Sequence, residues 1–391
     1  MKKIKIALIW KVLIACALGC LLGYVLPEAV VRIFTTFNSI FSQYIGFMVP
    51  LIIVGLVTAS IGKIGNGAGK LLLCTIVLAY VSSVVAGIFS YGVSKSLFPS
   101  LLDGISMSVE GGSSDVAPYF TIKIPPLLDV ISALVFAFLF GTLLTTTGNG
   151  YFKNLALDFE ELVTKAISTT LIPLLPIYIF GLFLKMSYTG EAAPILAVFA
   201  KIIVVILAMS LVWLVVVFCI SSAIAGKNPF KCLISMLPAY FTALGTSSSA
   251  ATIPVTMSCT NKCGVTDQVS KFTVPLCATI HMPGSMIKVT ACAITIMLLQ
   301  GTPFTLSLIV QFVMLLAISA VAAPGVPGGM IMAAIGVLAS VLGFDDANQA
   351  LMITLYVVMD SFGTACNVTA DGAIALIIDR IFKSSSAKAG N

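Results

Sequence analysis

Hydrophobic runs long enough to cross a bilayer follow one another along almost the whole 391-residue chain, and four of them, all in its C-terminal half, are rich in Ser, Gly and Pro at their centres. A span needs about 20 apolar residues. The unbroken runs predict helices near 7–26, 40–61, 71–97, 127–148, 160–187 and 193–226. The four Ser/Gly/Pro-rich segments are 232–262, 268–300, 303–344 and 347–383. At membrane depth, irregular backbone is tolerated only where it is buried in protein or lines a cavity. The interruptions "TALGTSSSAATIP" in 232–262 and "AAPGVPGG" in 303–344 therefore predict re-entrant helical hairpins. Ordinary proline kinks are the alternative, and two Ser/Gly/Pro tips in one half of the chain favour the hairpins. Broken helices of this kind mark binding sites in transporters.

Composition agrees. The chain is 59% hydrophobic and 9% charged, against about 25% charged in soluble domains, and its mean hydropathy is +1.12. The expected class is an all-α polytopic membrane protein with no soluble domain. The net charge of +6 is scattered among loops in runs of at most two basic residues, which excludes a nucleic-acid footprint. The start "MKKIKIALIWKVLIACALGC" imitates a secretory signal, but a full series of spans follows and an uncleaved first helix explains it as well. Ten cysteines lie mostly in apolar runs, and the Cys259/Cys263 pair has no further Cys or His nearby to complete a metal site. They read as small packing residues.

Loop charges orient the chain. Lys2, Lys3, Lys5, Lys11, Lys63, Lys70, Lys227, Lys231, Lys262, Lys383 and Lys388 fall on one side; Glu28, Asp103, Glu110, Asp115, Asp345 and Asp346 fall on the other. With the basic side cytoplasmic, the pattern closes with eight spans, two re-entrant hairpins and both termini inside. The polar stretch 98–126 reads as an external loop without chemistry of its own.

The last span, "VVMDSFGTACNVTADGAIALIIDRIF", carries Asp360, Thr364, Asn367 and Asp371 at i, i+4, i+7 and i+11. At about 100° per residue they lie within roughly 60° of one another. An aspartate at the bilayer centre costs about 2.5–3.5 kcal/mol even on lenient scales. Two on one stripe call for cations: a substrate ammonium, a bound Na⁺ or a lysine of the protein. A purely structural Asp–Lys pair is the plain alternative, but it has no need of Thr364 and Asn367. The other polar cluster is "TIHMPGSMIK" (279–288), with the only histidine, His281, a Pro283-Gly284 break, and Lys288.

Four stretches carry a resemblance. "VPLIIVGLVTASI" (49–61), "TSSSAATIPVT" (246–256), "PGVPGG" (324–329) and D-x-x-x-T-x-x-N-V-x-x-D (360–371) resemble, in order, the second-span signature, the two hairpin tips and the eighth span of the dicarboxylate/amino acid:cation symporters, which include the glutamate transporters. The resemblance implies a homotrimer in a bacterial inner (cell) membrane. It also implies a scaffold formed mainly by 1–70 and 127–226, and a transport core of 227–383, with 71–97 moving alongside, that crosses the membrane as an elevator. It places the substrate ammonium on Asp360 and its carboxylate on Asn367. Ser249, Ser285, Thr364 and the backbone at Val326 and Gly329 complete the pocket. One Na⁺ site is implied at Asp371 with carbonyls near Cys277, His281 and Asn367, and a second at Thr279 with carbonyls near 320–323.

Three departures stand out. Acidic-substrate members hold the side-chain carboxylate with an arginine; that position is Gly363, and the alternative place on the first hairpin is Ser247-Ser248-Ser249. Without the bidentate fork, the expected substrate is a small neutral amino acid, with Gly363 leaving room for a larger side chain. The family's Asn-Met-Asp-Gly-Thr is His281-Met282-Pro283-Gly284-Ser285 here, which removes an aspartate of a third Na⁺ site and predicts fewer coupled Na⁺ ions. His281 takes a proton in one version of this reading and is a buried neutral histidine in the other. Lys288 stands where the family commonly has tyrosine. It is an anion partner for a dicarboxylate or acidic amino acid, a tethered cation that substitutes for an ion, or a partner of Asp360. The expected function is a Na⁺-coupled amino acid symporter. A channel would need a continuous polar path, and an enzyme a nucleophile–base pair or metal cluster, and neither pattern is present in the sequence.

Overall fold

The computed structural model describes residues 8–64, 69–102, 116–146, 150–190, 192–321, 323 and 328–389. Helix dominates them, and no strand occurs among them. In chain order the helices are α1 (Leu8–Gly23), α2 (Glu28–Ile64), α3 (Gly69–Leu101), α4 (Val130–Thr146), α5 (Gly150–Ala166), α6 (Ile172–Tyr188) and α7 (Ala192–Ala225), then α8 (Pro229–Thr246), α9 (Ser249–Lys262), α10 (Asp267–Ile280), α11 (Pro283–Leu299), α12 (Leu306–Val321), α13 (Gly329–Leu342), α14 (Asp346–Val358) and α15 (Asp360–Ala389). A π-helical turn, Ile167–Leu171, joins α5 to α6 without a break.

Six helical stretches among the described residues are long and apolar enough to cross a membrane: Glu28–Ala59, Leu72–Leu101, Gly150–Tyr188, Ile195–Ala225, Asp267–Leu299 and Asp360–Lys383. The expected first and fourth spans are present as α1 and α4, of 16 and 17 residues. The two long N-terminal helices overrun their apolar runs. Helix α2 begins at Glu28 rather than near 40, and the α5–α6 unit begins at Gly150 rather than near 160. The added turns are amphipathic, as in "GYFKNLALDFEELVTKA". The polar stretch expected from 98 also begins later, because α3 continues through Pro99 to Leu101. Residues 103–115 of that loop lie outside the described residues. The part from 116 is packed: Val116 is buried with Val31 and Leu184, and the Tyr119 amide donates to Thr36 Oγ1 at 2.9 Å.

Helix–helix packing in lipid depends on close approach rather than on expulsion of water, which favours small residues. Helix α1 meets α6 through Gly19 and Gly23, one turn apart. A Cβ on them would fall 2.7 Å from the Phe180 carbonyl and 2.5 Å from Ser187 Cβ. Ser187 Oγ seals the contact by donating to the Cys20 carbonyl at 2.6 Å. Helix α2 packs on α4, α5 and α6; α3 packs on α11 and α12; and α15 packs on α7, α8, α10 and α11. The centre belongs to α10–α11 and α15. Their apolar stretches are 94% and 83% buried, against 33% for Leu72–Leu101.

The three expected C-terminal breaks are visible wholly or in part, and a fourth, not expected, appears in the last segment. Helices α8 and α9 pack on each other and join through Ser247, in the left-handed region at φ 49, and Ser248, whose hydroxyl caps α9 by accepting from the Ala251 amide. Helices α10 and α11 part at His281 and Met282, because Pro283 has no amide to donate and disfavours helical geometry in the residue before it. Helices α12 and α13 also pack together; most of the "PGVPGG" turn between them lies outside the described residues, and Gly328 enters α13 at φ 78. The last segment, 347–383, is not one continuous helix: Met359 separates α14 from α15, so Asp360 opens α15 rather than sitting within a longer helix.

Candidate functional site

Asp360 lies at the N-terminus of α15, where unpaired amides and the helix dipole favour a negative charge. Its Oδ2 accepts from the Gly328 amide, at the start of α13, at 3.0 Å. Its Oδ1 accepts from Lys288 Nζ, on α11, at 3.2 Å. Lys288 is 1% exposed and Asp360 8%. The lysine ammonium also lies 3.4 Å from the centre of the Tyr356 ring, a cation–π contact with α14. Three helix ends and the middle of α11 thus meet on one carboxylate.

Beside this pair lies a cavity of about 40 Å³. Ser247, Ser248 and Ser249 line it from the first helix pair, Ala278, Met282 and Ser285 from the broken α10–α11 segment, Met330 from α13, Tyr356 from α14, and Asp360, Thr364 and Asn367 from α15. Three members of the polar stripe, Asp360, Thr364 and Asn367, therefore face a shared space, and Asp371 is not among its lining residues. Thr364 Oγ1 donates to the Asp360 carbonyl at 2.9 Å. Asn367 caps α11: its Oδ1 accepts from the amides of Gly284 at 2.8 Å and Ser285 at 3.3 Å, and its Nδ2 donates to Ser285 Oγ at 3.2 Å. That cap answers the amides that a helix beginning at proline leaves open.

Gly363 is not an open space. A Cβ there would fall 2.7 Å from Lys288 Nζ, 2.9 Å from its Cε and 3.1 Å from its Cδ. The volume left by the missing side chain is filled by the lysine stem. A single residue's size did not show which neighbour would fill it. The chain's two arginines, Arg32 and Arg380, are not among the cavity-lining residues, and Arg32 is paired with Glu28 at 2.6 Å.

The second acid, Asp371, is 1% exposed, two turns further along α15 than Thr364. Its Oδ1 is 2.9 Å from His281 Nδ1, and His281 Nε2 is 2.9 Å from Ser82 Oγ on α3. Ser83 Oγ accepts from the Met282 amide at 3.2 Å, and Ser90 Oγ donates to the Ile287 carbonyl at 2.8 Å. Cys277 is buried in the same apolar cluster as Ala365 and Val368. A hard cation prefers oxygen ligands, and the Asp371 carboxylate and the last-turn carbonyls of α10 are of that kind. Thr279 is not brought to this acid: it is exposed, with its hydroxyl turned back to the Leu276 carbonyl at 2.8 Å. Val326 lies outside the described residues. Gly329 begins α13, but among the described residues it is the amide of Gly328 that reaches Asp360.

Tyr356, Met330, Ser82, Ser83 and Ser361 were not predicted. Tyr356 lies four residues before Asp360, a helical spacing that could have flagged it. Ser361 bonds Ser247 Oγ at 2.5 Å and ties the turn of the first helix pair to α15. The Ser82-Ser83 pair within an apolar run was a usable polar signal.

An all-helical, multi-pass membrane protein whose buried charges gather where broken helices meet is of the secondary-transporter class, not an enzyme. The chain matches the sodium:dicarboxylate symporter family over residues 8–381 and belongs to that family. It is similar to the serine/threonine transporter SstT of Acinetobacter baylyi, 26% identical over 401 residues that cover 97% of this chain and 98% of the relative. It is also similar to the serine/threonine transporter SstT of Acinetobacter baumannii (strain AYE), 26% identical over 399 residues covering 96% and 97%.

Proposed function

We propose that this protein is a Na⁺-coupled symporter that imports a small neutral amino acid. The observation that carries the reading is the makeup of the cavity. One carboxylate, Asp360, stands beside serine and threonine hydroxyls and the Asn367 amide, with no guanidinium among the lining residues. Such a site answers an ammonium and a small polar side chain and lacks the fork that grips a second carboxylate. Similarity to serine/threonine transporters supports the same substrate class. The protein then works as a homotrimer of eight spans and two re-entrant hairpins in a bacterial inner membrane, both termini cytoplasmic, with α8–α15 carrying substrate past a scaffold by an elevator movement. Asp371 holds one Na⁺.

A second reading keeps the fold and takes a dicarboxylate or acidic amino acid, with Lys288 as the anion partner. The position of the Lys288 stem over Gly363, where acidic-substrate relatives carry arginine, favours it. Uptake into proteoliposomes separates the two. A panel of serine, threonine, alanine, aspartate and succinate is offered with Na⁺ and H⁺ gradients imposed separately. Serine, threonine or alanine is expected to accumulate under the Na⁺ gradient alone. Accumulation of succinate or aspartate instead establishes the second reading, and no accumulation of any member overturns both. Asp371→Asn is expected to raise the Na⁺ concentration for half-maximal uptake by about tenfold or more, because the ion loses a charged oxygen ligand. An unchanged Na⁺ dependence would remove Asp371 from the ion site.

A further inference from the structure

The inference rests on the amino-acid reading and concerns what holds Asp360 when no substrate is bound. Lys288 is the partner: Nζ 3.2 Å from Oδ1, 3.4 Å from the Tyr356 ring centre, its stem laid over Gly363, and both members of the pair buried. The ammonium holds one carboxylate oxygen and the Gly328 amide holds the other, so the pair has no bidentate fork.

We propose that Lys288 is a tethered cation that occupies Asp360 in the empty carrier, and that the ammonium of an arriving amino acid takes the carboxylate from it. Once a carrier has released its substrate, an unanswered aspartate inside the membrane opposes the return step. An ammonium on a four-carbon stem, already in contact, answers that charge without a dissolved cation. In the loaded site the displaced lysine keeps the Tyr356 ring and gains the substrate's carboxylate. A zwitterion inserted between Asp360 and Lys288 leaves every charge paired, whereas an amine without an acid, or an acid without an amine, leaves one bare. The pair therefore selects substrates that carry both groups, and it sets the rate of the empty return.

The test compares net uptake with exchange in proteoliposomes, using whichever neutral amino acid of the panel the wild type accumulates. Both are measured at saturating substrate, where loss of the Lys288 contact to the substrate carboxylate limits neither; exchange needs only the loaded carrier, whereas net uptake also needs the empty one to cross. Lys288→Met is expected to lower the ratio of net uptake to exchange by about tenfold or more, and K⁺ or methylammonium inside the vesicles is expected to restore it. Gly363→Ala keeps the lysine but forces it off Asp360, so it is expected to lower the ratio in the same direction. A wild-type ratio in both variants overturns the inference while leaving the amino-acid reading intact. So does parallel loss of both activities in both variants without rescue by either cation, because a merely structural pair behaves that way. Failure of the wild type to accumulate any amino acid overturns the reading and the inference together.

Discussion

Asp360→Asn is expected to abolish uptake and to destabilise the protein at the same time. The substitution keeps the shape of the side chain and removes its charge. Lys288, 1% exposed, then faces an amide in place of its ion partner. Removing one member of a buried pair costs about 3–5 kcal/mol, because the other charge remains in a poor solvent. If even 3 kcal/mol falls on the transport cycle, uptake drops by about 100-fold. The melting temperature in detergent should fall as well. The double variant Asp360→Asn/Lys288→Met separates the two effects, since it removes both charges. It is expected to regain thermal stability and not transport, a non-additivity that a double-mutant cycle measures directly. Transport by Asp360→Asn within a few-fold of wild type would remove this carboxylate from substrate binding.

Gly284→Ala is expected to be the most damaging single-methyl change in the chain's centre. Gly284 is where α11 crosses α15. A Cβ there would fall 2.6 Å from Cys366 Cβ and 2.6 Å from the Gly363 carbonyl, and 3.1 Å from Asn367 Oδ1. One of these atoms is backbone, so no rotamer change relieves the contact. Overpacking of a tight core costs about 1–3 kcal/mol, and the separation of α11 from α15 would also loosen the Asn367 cap and the Lys288–Asp360 contact. The expected result is a lower melting temperature with uptake reduced by about tenfold or more. Gly92→Ala is the control. It lies on α3 with nothing within 4 Å of an added Cβ, and it is expected to behave as wild type in both assays.

Much of the fold was legible, because apolar run length and its interruption by Ser, Gly and Pro are direct readouts of depth and of broken helix. The pattern located α7, α8–α9 and α10–α11 to within a few residues. It missed the first three turns of α2 and the first turns of α5, because hydropathy reports where a helix is apolar, not where it ends. The break at Met359 was invisible for another reason: no Gly or Pro marks it. In the site, the alignment of Asp360, Thr364 and Asn367 was readable because all three lie on one helix, where spacing determines direction. What Lys288 touches was not readable, since that depends on how α11, α14 and α15 cross. That the Lys288 stem lies over Gly363 was not readable on the same account.

Three hydrogen bonds between α3 and the α10–α11 segment have a joint consequence. Ser82, Ser83 and Ser90 engage His281, Met282 and Ile287 in parallel order along two adjacent stretches. A slip of either helix by one residue turns each serine by about 100° away from its partner, and all three bonds fail at once. The pair is keyed, so α3 can tilt or travel with α11 but cannot shear along it. Any displacement of α11 that keeps these bonds therefore carries α3 with it.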